Sequence, residues 1–263
     1  MLKRVKAYHS GVFLELSVDK IFQKCFKFFK KQVSHEACGF FYIDSSSMEP
    51  DFQCLENENN YDSNNFINKN PIFYERYLKN EILCLSHNHL HRDSTPSKID
   101  VSVSESFALP SYILSLSHKD SYLYYPKNYK PRTLENRIFI AQLQDCVNYV
   151  KDYLLLNFNI NLHAYEINWA RRKLNPNFFL FEVLNNYFKE IKKKDYQSGD
   201  LLVFQPTLYQ YHHLGIVDNE DYIFHHPVNM FPRKELINSE ILNKVYKVYR
   251  YKVSWKLLQL KEI

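Results

Sequence analysis

Apolar residues near the start of the chain recur at helical spacing. They stand three or four positions apart, with lysines between them: Ile21, Phe22, Cys25, Phe26 and Phe29. This spacing predicts an amphipathic helix over residues 17–31, capped by Ser17. The apolar run over residues 38–43 then predicts a strand, and residues 44–70, rich in Ser, Asn, Asp and Glu, predict loops.

Short apolar runs and polar stretches continue to alternate through the first half. We expect a helix over residues 71–80 and a strand over residues 81–86, which delivers His87 and His89. A further helix is expected to begin at Ser97. The last predicted elements of this half are two strands, over residues 112–116 and 121–125.

A charged stretch with two prolines, residues 126–136, interrupts this pattern and is the best candidate for a linker. Beyond it the pattern again predicts helices and strands. The predicted helices cover residues 145–157, with Asp145 as N-cap, and 178–191; the predicted strands cover 201–204, 213–217, 222–225 and 245–260. The mixture predicts an α+β (mixed α/β) fold class with two domains, residues 1–125 and 137–263.

Composition limits the classes of function. Apolar residues make up 45% of the 263 residues, and aromatic residues are abundant, so each half can bury a core. The formal charge of +5 is too small to argue for a nucleic-acid partner. Five cysteines at irregular spacings indicate a reducing compartment rather than a disulfide framework. We see no signal peptide and no membrane-spanning run, so we expect folding in a cytoplasm.

The first candidate site is a group of metal-ligand residues. His87 and His89 are two residues apart, which places both imidazoles on one face of a strand. With Asp100 they make a set that can hold zinc and leave a fourth position open for water, whose pKa the ion lowers to about 7. Glu36 is our candidate for moving the proton, and Ser97 can stabilise the oxyanion. The alternative is that these histidines are surface residues.

The full pattern resembles that of the JAMM metalloisopeptidases. It runs from Glu36 to His87-x-His89, then seven residues to Ser97 and two more to Asp100. The string Glu-Ala-Cys-Gly-Phe that starts at Glu36 is similar to the beginning of bacterial and phage members. The resemblance implies a JAMM-type fold for residues 1–125, Zn²⁺ held by the two histidines and the aspartate, Glu36 as general acid/base, and Ser97 supporting the tetrahedral intermediate.

Two positions depart from that family. Asn88 stands where Ser is common between the histidines, and Leu90 stands where Pro is common after them. Neither position supplies a ligand, so the departures concern the shape of the loop. JAMM folds without catalytic ligands serve as scaffolds, and a non-catalytic assembly role is therefore an alternative function for this chain.

The second candidate site is built around a thiol. Cys146 follows Asp145 at the start of a predicted helix, where the helix dipole favours thiolate. An imidazole can take up the thiol proton and later give it to the leaving amine. His213 and His225 lie twelve residues apart on strands predicted to be neighbours, so His225 can orient His213 as a third catalytic residue does. The alternative is a structural cysteine with incidental histidines.

This half resembles the NlpC-type cysteine peptidases, which have a papain-like layout. The matching segments are Asp145-Cys146, Gly199-Asp200-Leu201, His213-Leu214-Gly215-Ile216 and Phe224-His225. The resemblance implies cleavage of peptidoglycan stem peptides with Cys146, His213 and His225 as catalytic residues. His212 and His226 adjoin the chosen histidines, and a shift of one residue would turn each side chain to the opposite face of its strand.

The order of the two halves adds to the resemblance. A JAMM domain followed by an NlpC-type domain is similar to the tail-assembly proteins of lambda-like phages and prophages. The resemblance implies a bifunctional metallo- and cysteine peptidase whose partners are peptidoglycan stem peptides and phage tail-tip proteins. Its expected locations are the host cytoplasm during assembly and then the virion tail tip or the host envelope. A bacterial cell-wall remodelling peptidase is a further alternative, against which the lack of a visible signal peptide counts.

Overall fold

The computed structural model describes residues 17–32, 34–55, 70–118, 120–140, 143–163, 184–204, 213–219, 221–228 and 230–252. They form two compact units that divide between Lys130 and Pro131. We refer to them as the N-terminal unit (residues 17–130) and the C-terminal unit (residues 131–163 and 184–252). Each unit combines one sheet with helices, which confirms the predicted mixed α/β fold class. No helix in the described ranges is both long and apolar enough to span a bilayer.

The N-terminal unit is a five-stranded sheet with three helices. Its elements are α1 (Ser17–Phe29), β1 (Cys38–Ile43), β2 (Pro50–Leu55), α2 (Pro71–Leu78), β3 (Ile82–His89), α3 (Lys98–Phe107), β4 (Ser111–Ser115) and β5 (Asp120–Tyr124). The strand order is β2-β1-β3-β4-β5. The β3–β4 pair is parallel, whereas the other three pairs are antiparallel.

Alternating aromatic residues of β1 pack on both faces of this sheet. On one face Phe41 lies 5.0 Å from Phe22 of α1, measured between ring centroids. On the other face Phe40 lies 5.7 Å from Phe73 of α2, which in turn lies 5.0 Å from Phe107 of α3. Buried aromatic pairs of this kind contribute about 0.5–1.5 kcal/mol each beyond the area they bury. Helix α1 therefore covers one face, and α2 and α3 cover the other.

The prediction that residues 44–70 are loops is wrong for β2. Phe52 and Leu55 are buried in this strand although polar residues separate them, and the strand pairs with β1 along its length. A proline and two polar residues among six hide the alternation from a local reading. Strand β3 also continues past the predicted end at residue 86, so His87 and His89 belong to the strand itself. The capping prediction for Ser17 concerns a side chain outside the described ones.

The C-terminal unit is a six-stranded sheet packed against a helix. Its elements are α4 (Cys146–Phe158), β6 (Phe188–Ile191), a 3₁₀ turn (Lys193–Asp195), β7 (Leu201–Phe204), β8 (Leu214–Asn219), β9 (Tyr222–His225), β10 (Arg233–Leu236), α5 (Ser239–Lys244) and β11 (Val245–Tyr251). The order is β10-β9-β8-β7-β11-β6, with every neighbouring pair antiparallel. Helix α4 packs on β8 and β9: the Tyr153 hydroxyl donates to Asp218 Oδ1 at 2.6 Å, and its ring lies 5.7 Å from Phe224.

The predicted helix over residues 178–191 is wrong at its end. Residues 184–187 are helical, but Phe188–Ile191 is strand β6, and residues 178–183 lie outside the described part. β6 pairs with β11, where Phe188 faces Tyr251. This partner lies far along the chain, so local periodicity does not reveal it. The predicted strand over residues 245–260 is strand β11 as far as Tyr251, and residues 253–260 are outside the described ones.

A buried ionic network stands behind α4. Arg137 Nη1 donates to Asp152 Oδ2 at 2.5 Å, and His163 Nε2 lies 2.6 Å from Asp152 Oδ1. Burial by itself raises the pKa of Asp152, but the hydrogen bonds and charges of His163 and Arg137 outweigh it, and the pKa is lowered. Burial also lowers the pKa of His163. All three side chains are almost fully buried, and Arg137 also donates to the carbonyl oxygens of Thr133 and Arg132 at 2.7 and 2.5 Å. Removing Asp152 would therefore leave a buried positive charge without its carboxylate.

Candidate functional site

The N-terminal unit brings the three predicted metal ligands together. His87 pairs with Cys38 in the antiparallel register of β1 and β3, and Cys38 belongs to the cluster that packs under α2 and α3. His89 lies two residues further on the same face of β3. Asp100 lies in the first turn of α3, above this face. Strand alternation and the start of one helix thus account for the cluster.

The ligand atoms of these three residues converge. His87 Nε2 lies 3.1 Å from both His89 Nε2 and Asp100 Oδ1, and His89 Nε2 lies 3.3 Å from Asp100 Oδ2. All three side chains are buried, and one ligand atom from each can be chosen within 4.8 Å of the others. Two imidazoles and a carboxylate are a donor set for zinc.

The hydrogen bonds of His89 bear on whether the cluster fits a cation. His89 Nδ1 donates to the Asp93 carbonyl at 2.6 Å, so Nε2 of the neutral ring is an acceptor. This acceptor points at the acceptor oxygens of Asp100. The guanidinium of Arg92 resolves the conflict: Nη2 donates to His89 Nε2 at 2.7 Å and to Asp100 Oδ2 at 3.2 Å. The side chains present therefore fit a divalent ion, which would take the place of the guanidinium nitrogen.

The local environment sets the charge of the ligands. Burial lowers the pKa of His87, although Asp100 raises it in part, so the imidazole is neutral near pH 7 as a metal ligand must be. Burial by itself would raise the pKa of Asp100. The hydrogen bonds to His87 and His89 outweigh this effect, so the pKa is lowered and the carboxyl stays ionised. The site thus holds one negative charge, on Asp100, and a neutral nitrogen donor at His87.

Glu36 is positioned by the residue that departs from the JAMM pattern. Asn88 Oδ1 accepts from the Ala37 N–H at 2.7 Å, and the Asn88 N–H donates to the Ala37 carbonyl at 3.2 Å. These bonds hold the segment before β1 against the end of β3. Glu36 is 4% exposed and shares the wall of a cavity of about 210 Å³ with His87 and Asp100. The predicted general acid/base therefore lines the same cavity as two predicted ligands.

Ser97 is the N-cap of α3 and forms a capping box with Asp100. The Ser97 hydroxyl accepts from the Asp100 N–H at 3.2 Å, and the Ser97 N–H donates to Asp100 Oδ2 at 2.6 Å. Because both bonds involve Asp100, Ser97 fixes the direction of this ligand. The predicted contact of its hydroxyl with an oxyanion stays a prediction.

In the C-terminal unit, Cys146 is the first residue of α4 and is half-buried. Asp145 caps the helix: Oδ1 accepts from the N–H groups of Val147 and Asn148 at 3.1 and 3.0 Å. The sulfur therefore stands at the positive end of the helix dipole, where thiolate is favoured.

The two predicted imidazoles of the thiol site lie next to each other. His213 Nε2 lies 2.7 Å from His225 Nδ1, a hydrogen bond across β8 and β9, and leaves His213 Nδ1 for another partner. The Phe204 ring packs against both, with centroids 5.4 Å from His213 and 6.2 Å from His225. Burial, with His225 and His226 close by, lowers the pKa of His213 to about 3, so the ring is neutral near pH 7.

Glu235 contacts the outer imidazole of this pair, and the sequence analysis did not predict it as a site residue. His225 Nε2 lies 3.3 Å from Glu235 Oε1, on neighbouring strand β10. Arg233 Nη1 lies 3.5 Å from the same oxygen. A Glu ten residues after the imidazole it contacts has no motif of its own, and only the β9–β10 pairing indicates it.

His226 is the imidazole that contacts the helix carrying Cys146. It is fully buried, 5.8 Å from the Tyr149 ring of α4 and 5.3 Å from Phe139. Burial lowers its pKa to about 4. Alternation along β9 places Phe224 and His226 towards α4 and His225 on the opposite face. The two neighbouring histidines therefore face different parts of the unit: His226 faces the helix that begins at Cys146, and His225 bonds to His213.

Two further matches to the NlpC pattern have structural explanations. Gly215 pairs with His225, and a Cβ at Gly215 would overlap the Ile223 side chain and stand 3.2 Å from His225 Cβ. Asp200 is fully buried and accepts from Arg250 of β11 through both oxygens, at 2.9 and 2.7 Å. Gly215 thus allows β8 and β9 to approach, and Asp200 ties β7 to β11.

Comparisons with known proteins agree with part of this picture. Residues 137–251 match the model of the NlpC/P60 family, a family of cysteine peptidases. The chain is 24% identical over 173 residues to the Tail tip assembly protein K of Escherichia phage N15, covering 65% of this chain and 70% of that protein. The solution structure of protein DSY2949 from Desulfitobacterium hafniense is 20% identical, covers 43% of this chain and 84% of that one, and has a TM-score of 0.32.

Proposed function

We propose that this chain is a phage tail-associated peptidase with two sites: a cysteine endopeptidase for peptidoglycan peptides in the C-terminal unit, and a zinc-dependent peptidase or isopeptidase in the N-terminal unit. The observation that carries the first part is the NlpC/P60 match over residues 137–251, which includes Cys146 at the helix N-terminus and the hydrogen-bonded His213–His225 pair. The similarity to a tail tip assembly protein of a phage supports the tail association.

In the thiol half, Cys146 would attack the carbonyl carbon of the scissile peptide bond. Following the NlpC/P60 pattern rather than the side-chain directions along β9, His213 would accept the thiol proton and return it to the amine as the peptide bond breaks, leaving an acyl-enzyme that water hydrolyses. His225 would hold His213 in the required tautomer, and Glu235 would support His225 through the 3.3 Å contact.

In the metal half, His87, His89 and Asp100 would hold a zinc ion, and Arg92 would leave the cluster to make room. When bound, the ion supplies Lewis acidity to the reacting groups. Glu36, buried in the adjoining cavity, would accept a proton from the attacking water and pass it to the leaving amine.

The thiol assignment is tested with purified sacculi. We expect the wild-type protein and Cys54→Ala, whose half-buried cysteine lies in the other unit, to release peptides, and Cys146→Ala to release none. Peptide release by Cys146→Ala at the wild-type rate would refute the nucleophile. His225→Ala and His226→Ala decide the strand register: the proposal requires the larger loss of activity in His225→Ala.

The metal assignment is tested by elemental analysis of purified proteins. We expect about one zinc ion per chain in the wild type and in His91→Ala, an exposed histidine of the neighbouring loop, and little in His87→Ala. Equal zinc in all three proteins would refute the ligand set. Loss of zinc-dependent cleavage in Glu36→Gln, with the zinc content unchanged, is the result expected for a proton-transfer residue.

A further inference from the structure

The cavity beside the candidate metal site is lined mostly by apolar side chains, which the proposed catalytic roles do not require. Beyond Glu36, His87 and Asp100, apolar side chains of α2 and α3 line it, among them Phe73, Tyr74, Ile99, Val103 and Phe107.

Its rim is open to solvent. Tyr74 is 45% exposed and Ile99 is 56% exposed, and they stand on α2 and α3 respectively. Phe73 is buried and packs against Phe107, which makes the inner wall part of the core and therefore fixed in shape. The cavity is thus a preformed apolar recess that reaches from solvent to the candidate ligands.

We infer that this recess is a specificity pocket that takes one bulky apolar side chain of a polypeptide substrate, next to the bond that the metal half cleaves. This inference rests on the proposed metallopeptidase function. Because Glu36, His87 and Asp100 belong to the lining, any molecule that fills the recess lies beside the reacting groups. The volume of about 210 Å³ corresponds to about seven water molecules, which is enough for a side chain such as Leu, Met or Phe.

The charges of the lining side chains distinguish an apolar substrate side chain from a charged one. The charged side chains that line the cavity are Glu36 and Asp100, and both stand at the metal end, so the apolar part offers no partner to a charged side chain. A Lys, Asp or Glu side chain would be desolvated there without compensation. Peptidoglycan stem peptides carry small or charged side chains. The pocket therefore assigns the metal half a protein substrate, different in class from the substrate proposed for the thiol half.

Binding is tested without cleavage, by NMR of the methyl groups of the full-length, zinc-loaded protein. The probes are N-acetyl-leucine-N-methylamide and the matching glycine and glutamate compounds. We expect the leucine compound to shift the Ile99 and Val103 methyl signals and the other two to leave them unchanged. Ile99→Ser should weaken binding by about fivefold, and Leu78→Ser, which removes an 84% exposed side chain of α2 outside the cavity, should not change it. Equal shifts of these methyl signals with all three compounds, or no shift with any of them, would overturn the proposal of a specificity pocket.

Cleavage is tested separately with a peptide library that varies the residues on both sides of the bond. A zinc-dependent preference for Leu over Gly of about 10- to 100-fold at one position, reduced in Ile99→Ser, is the result expected for the pocket. Zinc-dependent cleavage with no such preference would overturn the pocket and leave the proposed function standing. Absence of any cleavage in the library, with the methyl shifts present, would count against the proposed metallopeptidase and not against the pocket.

Discussion

Replacing Arg92 by Gln should make the protein bind zinc more tightly. In the structure Arg92 Nη2 donates to His89 Nε2 and Asp100 Oδ2 at 2.7 and 3.2 Å, so the guanidinium occupies the space where the ligand atoms converge. A zinc ion must displace it. The free energy of these contacts is therefore subtracted from the free energy of zinc binding.

The size of the effect follows from the exposure of the side chain. A hydrogen bond to a charged group contributes about 1.5–3 kcal/mol when it is buried, and an exposed ion pair contributes about 0.2–1 kcal/mol. Arg92 is 44% exposed whereas Asp100 is 9% exposed, which places the pair between these cases, near about 1 kcal/mol. Since about 1.4 kcal/mol is a tenfold change in Kd, we expect Arg92→Gln to bind zinc about fivefold more tightly.

The assay is competition for zinc with a chromophoric chelator at constant pH and ionic strength. Lys98→Gln is the matched control, because it removes an exposed positive charge from the same region without a contact to the ligand atoms. A similar gain in affinity in both variants would attribute the effect to long-range charge rather than to the position of Arg92. An unchanged or weaker affinity in Arg92→Gln would refute the displacement of the guanidinium.

Three further predictions concern the C-terminal unit. Asp152→Ala should lower the free energy of unfolding in urea by about 3–5 kcal/mol, because it leaves the buried Arg137 without its carboxylate partner. Glu240→Ala, in an exposed pair with Lys244, should leave it almost unchanged; similar losses in both variants would contradict the buried network. Because the pKa values of Asp152 and His163 are both lowered by folding, stability should fall as the pH drops below about 6.5 and fall further below about 3.9. Asp152→Ala should reduce the second part, to which other carboxylates such as Asp218 also contribute. Gly215→Ala should cost at least about 1–3 kcal/mol through its overlap with Ile223, measured by thermal unfolding, and a wild-type melting temperature would show that β8 and β9 can separate at no cost.

Residues whose chemistry follows from local spacing could be placed from the sequence. His87 and His89 share a face because strand side chains alternate, and Asp145 caps α4 because an acidic residue precedes an apolar helical pattern. Arg92 and Glu235 could not be found this way, because each reaches its imidazole through the path of a loop or the pairing of two strands.

The same limit applies to the fold. Strand β2 begins with a proline, contains polar residues and becomes a strand through its pairing with β1, and β6 is a strand because β11 lies beside it. Pairing partners that are distant in the chain leave no periodic signal in a short window. The JAMM-type assignment of the N-terminal unit stays a prediction that the metal experiments address.

The position of β11 in its sheet has a consequence for biosynthesis. This strand lies between β7 and β6, and it brings Arg250 to the buried carboxylate of Asp200. Before residue 251 has left the ribosome, β6 therefore has no partner strand and the buried Asp200 lacks its counterion. The C-terminal unit can therefore complete its sheet only after β11 has been translated, and fragments that end before this strand would lack the folded sheet.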